Sequence, residues 1–300
     1  MDLNSKKMGR GVVTYGCMAM MISSLPMLMT SCLPDPIPLS LEQAKPQIVV
    51  STQIVPDEGL VVVLTKTFSA LDFNEDSDPE DVLAAIALDD ATVVLSGPEQ
   101  TDTLSMLGYG VYGGVSIPFK SGDTYRLDVT SKSLGKVTAS TRVLPQVSFD
   151  SVRAEVYLNG FGDSLVQVTD VFEDPVGKNW YMLNVQRIKR PEIVDNILNP
   201  VMYTRLLDDT DFEGQIYGEM FRAFPRTFGI GDTVVVSLAN ISEDYYKFQD
   251  LRADNRFSFI EYLSEPVNYP TNVEGGRGFF NLYIPDVRIF VLREIAEPSN

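Results

Sequence analysis

Apolar and polar residues alternate along much of the chain after residue 45, with the period of two that is typical of β-strands. In the first half, the pattern predicts strands at residues 47–55, 59–68, 91–96, 110–119, 124–131 and 136–143. Turn residues separate them, as in Pro56-Asp57-Glu58-Gly59. Short strands at such close intervals indicate antiparallel sheets rather than βαβ units.

The same pattern resumes after Pro145, where we place a domain boundary. It predicts strands at residues 152–158, 165–172, 179–187, 202–206, 215–221, 233–239, 279–284 and 287–292, with a loop at 264–278. The predicted fold is therefore mainly β, with two antiparallel β-sandwich-like units. Residues 46–146 form an immunoglobulin- or transthyretin-like sandwich, and residues 147–300 form a β-rich domain that carries one packed helix.

Two stretches have helical signals instead. Asp78 followed by Pro79 is a good helix start, with a short body extending to residue 88. Apolar residues also recur at helical spacing at about 241–253, namely Ile241, Tyr245, Phe248 and Leu251, with Asn240 or Ser242 as the N-cap. This stripe predicts a helix that packs against a sheet.

The first 32 residues resemble a bacterial lipoprotein signal. Three basic residues precede an apolar run over residues 11–29, and Thr30-Ser31-Cys32 follows. A basic start, an apolar run and small residues describe a secretory signal peptide, here residues 1–31. The following cysteine is the predicted site of lipid attachment. The alternative, a membrane-spanning anchor, is disfavoured because Pro26 interrupts a run shorter than the ~20 residues that a span needs.

Residues 32–45 are predicted to be a proline-rich tether that holds the body off the membrane. Removal of residues 1–31 leaves 21 basic and 40 acidic residues, a net charge near −19. Such a charge argues against nucleic acid as a partner, because phosphates must be neutralised by Lys and Arg.

Histidine is absent, and removal of the leader takes Cys17 with it. The acylated Cys32 would then be the last cysteine. Serine–histidine and cysteine–histidine hydrolases and histidine-ligated metal sites are thereby excluded. Chemistry based on carboxylates remains open.

An acidic segment follows the second strand. Asp72, Asn74, Asp76 and Asp78 place oxygen atoms at alternate positions, as in the first half of a calcium loop. Ser77 occupies the position of the turn glycine and Leu83 that of the bidentate glutamate. These departures favour a solvated acidic loop, with a calcium site as the alternative and no other cofactor expected.

Two further patterns carry little chemistry. Gly108-Tyr109-Gly110-Val111-Tyr112-Gly113 matches the dinucleotide fingerprint, but a strand rather than a helix is predicted to follow it. Glycines in a strand more often mark a bulge or a turn. Paired carboxylates such as Glu173-Asp174 and Asp208-Asp209 are expected by chance in so acidic a chain.

Aromatic residues near predicted loops are candidates for ligand binding, because aromatic faces stack on sugars and fill pockets. Trp180, Phe224 and Phe228 are the candidates retained. The alternative is that they cover the ends of the sheets.

Several turns and strand starts together resemble the bacterial lipoprotein family known as domain of unknown function 4249. They include Ile48-Val49-Val50, Leu144-Pro145, Asp174-Pro175-Val176-Gly177-Lys178-Asn179-Trp180-Tyr181, Gly231-Asp232-Thr233 and Gly278-Phe279-Phe280. The resemblance covers nearly all of the chain after the leader. It implies a lipoprotein of Bacteroidota that is often found beside TonB-dependent outer-membrane receptors, without defined chemistry or functional residues.

The expected function is therefore that of a non-enzymatic binding or accessory subunit, anchored in the outer membrane through Cys32. The expected partner is a TonB-dependent transporter. A structural or adhesion lipoprotein of the cell surface and a carboxylate hydrolase are the two alternatives. The sequence leaves open whether the body faces the cell surface or the periplasm.

Overall fold

The computed structural model describes residues 45–55, 59–68, 79–114, 117–158, 163–188, 202–223, 228–255 and 269–295, all within one compact unit. Strands make up 58% of the structure and helices 10%, so the prediction of a mainly β fold is confirmed.

Seven strands from the first part of the chain and two short strands from near its end form a nearly closed nine-stranded sheet. Its strands, in chain order, are β1 Ile48–Val55, β2 Gly59–Lys66, β3 Ala91–Ser96, β4 Thr101–Gly108, β5 Val111–Gly113, β6 Thr124–Ser131, β7 Gly135–Arg142, β14 Val273–Glu274 and β15 Arg277–Phe279. Helix α1, Pro79–Ile86, connects β2 to β3. The order across the sheet is β14-β7-β6-β3-β4-β5-β2-β1-β15.

A tight turn between β14 and β15 brings the two ends of this sheet together. β14 pairs antiparallel with β7, and β15 pairs parallel with β1. Gly278 in β15 has φ of 89°, and a Cβ atom there would lie 1.9 Å from the carbonyl oxygen of Val50. The close approach of β15 to β1 therefore requires glycine at this position.

The interior of the nine-stranded sheet is apolar. β6 shows the alternation that predicted it, because Tyr125, Leu127 and Val129 are buried while Thr124 and Arg126 are exposed. Their partners in the core come from all around the sheet and include Val50, Leu64, Val93, Tyr112 and Val137.

The second part is a sandwich of two sheets. A four-stranded sheet has the order β11-β10-β13-β16, and a three-stranded sheet has the order β12-β9-β8. The strands are β8 Phe149–Leu158, β9 Ser164–Glu173, β10 Trp180–Arg187, β11 Met202–Asp208, β12 Ile216–Ala223, β13 Thr233–Ile241 and β16 Asp286–Val291. Residues 293–295 run beside β8 through a bridge between Val156 and Glu294, so the two sheets meet on that side.

Strand β13 is buried on both faces. Val234, Val236 and Leu238 belong to the core between the two sheets. Ala239 and Ile241 lie instead beneath helix α2, Glu243–Asn255. This double burial explains the almost continuous apolar run that predicted the strand.

Helix α2 begins after Ser242, whose hydroxyl accepts the backbone N–H of Tyr245 at 3.3 Å. Its Tyr245 and Phe248 pack on Phe279, which precedes the last strand. The helix predicted at about 241–253 is thus present, shifted by two residues, and the expected packing stripe is buried against the sheet.

The segment after β15 joins the two parts. Phe280 and Leu282 enter the core of the nine-stranded sheet, whereas Phe279 and Tyr283 enter the cluster beneath α2. The boundary predicted near residue 146 stays a prediction, although residues from both sides of it share the first sheet.

Four element predictions were wrong. Strand β4 was missed, because in its sequence only Leu104 is buried and the other residues read as a polar loop. Of the described residues in the strand predicted at 110–119, those of β5 are strand, whereas Gly114 and residues 117–119 are not. The predicted loop at 264–278 contains β14 and most of β15. The strand predicted at 279–284 is irregular beyond Phe279. In both segments, strand formation depends on pairing partners that are distant in sequence.

Candidate functional site

Several predicted site residues lie outside the described part of the chain. They are the lipidation residue Cys32, the candidate calcium ligands Asp72, Asn74, Asp76 and Asp78, and the aromatic Phe224. Their proposed roles stay predictions.

The two remaining aromatic candidates do not come together. Trp180 begins β10 and is half-buried in the cluster beneath α2. Phe228 is 1% exposed and lies in the core between the two sheets. They belong to separate apolar clusters, so the structure does not bring them together, and their role in ligand binding stays a prediction.

A surface depression at one end of the first sheet has a single aromatic residue in its lining. It is bounded by residues 97–100 and by Pro118, Lys120 and Tyr125. The Tyr125 hydroxyl donates to the carbonyl of Pro118 at 3.1 Å and accepts the backbone N–H of Lys120 at 2.9 Å. Because the Tyr125 hydroxyl already makes these two bonds to the loop, it is poorly placed to bind a ligand.

The glycine-rich match at residues 108–113 forms the hairpin turn between β4 and β5. Tyr109 has φ of 49°, and the backbone N–H of Gly110 donates to Asp89. Because a strand follows and a carboxylate already accepts this N–H, the turn lacks the features that bind a pyrophosphate.

The turn before Trp180 is held by buried acids. Asp174 accepts the Tyr181 hydroxyl and the backbone N–H of Gly214, and Asp209 accepts the backbone N–H of Asn179 at 2.6 Å. These bonds join the loop between β9 and β10 to the loop between β11 and β12.

Lys178 neutralises the outer side of the same corner. Its Nζ lies 3.0 Å from Asp208 Oδ1 and 2.6 Å from Asp209 Oδ1, and 5.7 Å from the centre of the Trp180 ring. The hydrogen bond from Thr210, together with Lys178, lowers the pKa of Asp208 to about 2. Each acid of this corner thus has a hydrogen-bond donor or a cation within the protein.

A different acid, Asp170, has two buried oxygens without a hydrogen-bond partner, more than any other described residue of the sandwich. It lies on β9 between Val168 and Phe172, which point into the same core. Only 1% of it is exposed, and neither carboxylate oxygen has a hydrogen-bond partner among the described residues. A buried carboxylate without partners favours its protonated form.

Two charged residues surround Asp170. Glu219 on β12 is directly opposite it in the strand register, on the same inward face. Arg205 comes from β11 of the other sheet, and its Nη2 donates to both oxygens of Glu219 at 2.6 and 2.5 Å. We call these three residues the Asp170–Glu219–Arg205 cluster.

Aromatic residues enclose the cluster. Arg205 lies over the ring of Phe221 at 5.3 Å, and Tyr203 stacks on the same ring. The Tyr217 hydroxyl donates to Glu219. The cluster lies at the open side of the sandwich, because β11 and β12 are edge strands of the two sheets.

The pKa values follow from this geometry. Burial raises the pKa of Asp170 to about 6, the charge of Glu219 adds to the rise, and Arg205 opposes it. Burial also raises the pKa of Tyr217 to about 12, with its hydrogen bond to Glu219 as the next cause. Asp170 itself is shielded from solvent, whereas the side chains of Arg205 and Glu219 are 29% and 31% exposed.

Sequence reasoning missed this cluster. The available signal was the alternation in β9, where Val166, Val168, Asp170 and Phe172 share one face. An acid at an inward position of an apolar strand is an exception, and exceptions of this kind mark titrating sites.

Neither helix in the described part of the chain is both long and apolar enough to cross a bilayer. Within those described residues, no three acidic or cysteine side chains lie close enough together to hold a metal ion.

Residues 34–286 match the sequence pattern of the family described as Domain of unknown function (DUF4249). The chain belongs to this family. The match covers the nine-stranded sheet and the strands of the sandwich up to β13, and it ends at the first residue of β16. No match was found among curated proteins.

Proposed function

We propose that the protein is a lipoprotein of the outer membrane that acts as a non-enzymatic binding or accessory subunit of a partner protein. Its leader and Cys32 support export and acylation, and family resemblance favours a TonB-dependent transporter of Bacteroidota as the partner. The acyl chains hold the body at the membrane, since each buried methylene contributes about 0.8 kcal/mol.

The observation that carries this proposal is the free edge of the sandwich. β12 pairs with β9 on one side, and no strand among the described residues pairs with its other side. Ile216 and Met220 of this strand point outward and are 69% and 50% exposed. An open edge with exposed apolar side chains is suited to accept an extended strand of a partner.

Crosslinking in intact membranes, followed by purification and identification of the partners, tests the proposal. We expect an outer-membrane receptor to be recovered with the native protein. The double variant Ile216→Lys/Met220→Lys should lose it, because charges on an edge strand oppose pairing. Ile230→Lys, at a position that is 61% exposed in the turn before β13 and not on an edge strand, is the matched control and should retain it. Absence of any receptor from the native sample would contradict the proposal.

The same edge also favours a second candidate function, self-assembly into a surface structure. In that case copies of this chain would crosslink to one another through β12, and the double variant would be monomeric. The position of Asp170 does not favour the third candidate, a carboxylate hydrolase, because a glycosidase needs two acids that reach substrate across a cleft.

A further inference from the structure

The turn between β4 and β5 presents an unusual apolar surface. Met106, Leu107 and Tyr109 are 51%, 43% and 52% exposed, and they follow one another around a single turn. We call these three residues the apolar tip. Single exposed apolar residues are ordinary on protein surfaces, but a contiguous group marks a site of contact with a protein, a ligand or a membrane.

Backbone strain at Tyr109 gives an independent indication. Among the described residues, it is the one non-glycine residue with positive φ, at 49°. Asn or Gly would adopt this conformation at lower cost. An aromatic residue held there is a strained feature of the kind that accompanies functional sites.

The strand register places the apolar tip at the end of the sheet where the chain enters it. The Gly110 carbonyl accepts the backbone N–H of Leu64 at 2.7 Å, and Leu64 pairs with Val50 near the start of β1. The tip thus lies two to three strand spacings, about 10–15 Å, from β1. Lys45 precedes β1, and Cys32 lies thirteen residues before Lys45.

Other residues at this end suit an interface with lipid headgroups. Five basic residues lie on strand ends and turns of the same end: Lys45, Lys66, Lys132, Lys136 and Arg277. Five acids of the described residues lie there too, namely Asp81, Asp89, Asp90, Asp128 and Glu274, and Asp128 is 3.0 Å from Lys136 Nζ. Asp89 accepts the N–H of Gly110, and Asp90 accepts Ser131 Oγ and the N–H of Ser133. This balance fits a zwitterionic surface better than a strongly anionic one.

From these observations we infer that the apolar tip contacts the surface of the bilayer in which Cys32 is anchored. The inference rests on the proposed lipid anchor. A tether of this length keeps the tip at high effective concentration near the membrane, so a weak contact is sufficient. Tyr, Met and Leu side chains are suited to the boundary between headgroups and acyl chains. The contact would orient the body, with the sandwich and its β12 edge held away from the lipid.

The experiment uses the full acylated protein in vesicles of phosphatidylcholine and phosphatidylethanolamine. Leu107→Cys carries an environment-sensitive fluorophore, and the vesicles contain lipids with a quencher near the headgroup. Thr101→Cys, at the other end of β4 and about 20 Å away, is the matched control. We expect the fluorophore at position 107 to be quenched at least threefold more than the one at position 101.

A second variant separates this role from a structural one. Tyr109→Asn relieves the positive φ and removes the ring, so the fold should be at least as stable while quenching at position 107 falls. Equal quenching at both labelled positions, on protein that floats with the vesicles, would overturn the inference alone. So would a photocrosslinker at position 107 that joins a protein instead of lipid. Protein that lacks acyl chains and does not float would overturn the proposed anchor, and the inference with it.

Discussion

Asp170 and Glu219 face each other across paired strands β9 and β12, inside a sandwich where Arg205 is the one cation of the described residues that lies near both. Arg205 bonds Glu219, and Asp170 keeps two oxygens without partners among the described residues. Like charges opposite each other destabilise a sheet, and removal of the proton from Asp170 creates such a pair.

The first prediction concerns Asp170→Asn. An acid whose pKa is raised on folding stabilises the protein below its unfolded pKa of about 4, and that stability is lost as the pH rises to about 6. The variant should therefore gain up to about 3 kcal/mol relative to the native protein at pH 8. Urea unfolding at pH 4 and pH 8 measures the difference.

The matched control is Glu173→Gln, at an exposed outward position of the same strand. It should show a much smaller change between the two pH values. An Asp170→Asn variant that unfolds like the native protein at both pH values would show that Asp170 is not perturbed.

The second prediction concerns the two neighbours of Asp170, which should act in opposite directions. Glu219→Gln removes the like charge and releases Arg205, so the pKa of Asp170 should fall below 6. Arg205→Met removes the opposing cation, so the pKa should rise above 6. Carbon-detected NMR titration of the Asp170 carboxyl measures both. A shift of the same sign in both variants would contradict the cluster.

The third prediction concerns the closure of the nine-stranded sheet. Gly278→Ala places a Cβ atom against the Val50 carbonyl and should cost more than about 3 kcal/mol, because backbone must move. Gly135→Ala also has positive φ, but nothing lies within 4 Å of the added atom, so it should cost about 1 kcal/mol. Denaturant unfolding compares them, and equal losses would contradict the close contact between β15 and β1.

The fourth prediction concerns Tyr181→Phe. The variant removes the hydroxyl that donates to Asp174, a residue that is 2% exposed. Among the described residues, the Gly214 N–H then remains as the donor to this carboxylate. The expected loss is about 1–3 kcal/mol, the cost of an acceptor left without a partner. Tyr109→Phe, at an exposed position, should change stability by less than about 0.5 kcal/mol. Thermal unfolding of both variants gives the comparison.

The sequence predicted best where a single strand or helix decides its own face. The alternation in β6 and the apolar stripe of α2 were sufficient, since each element buries one regular set of residues. The sequence failed at β14 and β15, which are two and three residues long and exist because β7 and β1 offer free edges to pair with. No local pattern carries that information.

The same division applies to the sites. At residues 108–113 the pattern predicted a strand instead of the helix that a nucleotide site requires, and strand β5 does follow the turn. Trp180 and Phe228 were chosen for their residue type, and tertiary packing placed them in separate apolar clusters. Asp170 was visible as an inward acid in β9, but its charged neighbours come from β12, which pairs with β9, and from β11 of the facing sheet.

The central claim is that this β-rich body is held at a membrane through Cys32. Intact mass measurement of the protein purified from its native membrane fraction tests this most directly. The account predicts a chain that begins at Cys32 and carries the added mass of two or three acyl chains on a glycerol-modified cysteine. A chain that retains residues 1–31, with Cys32 unmodified, would contradict it.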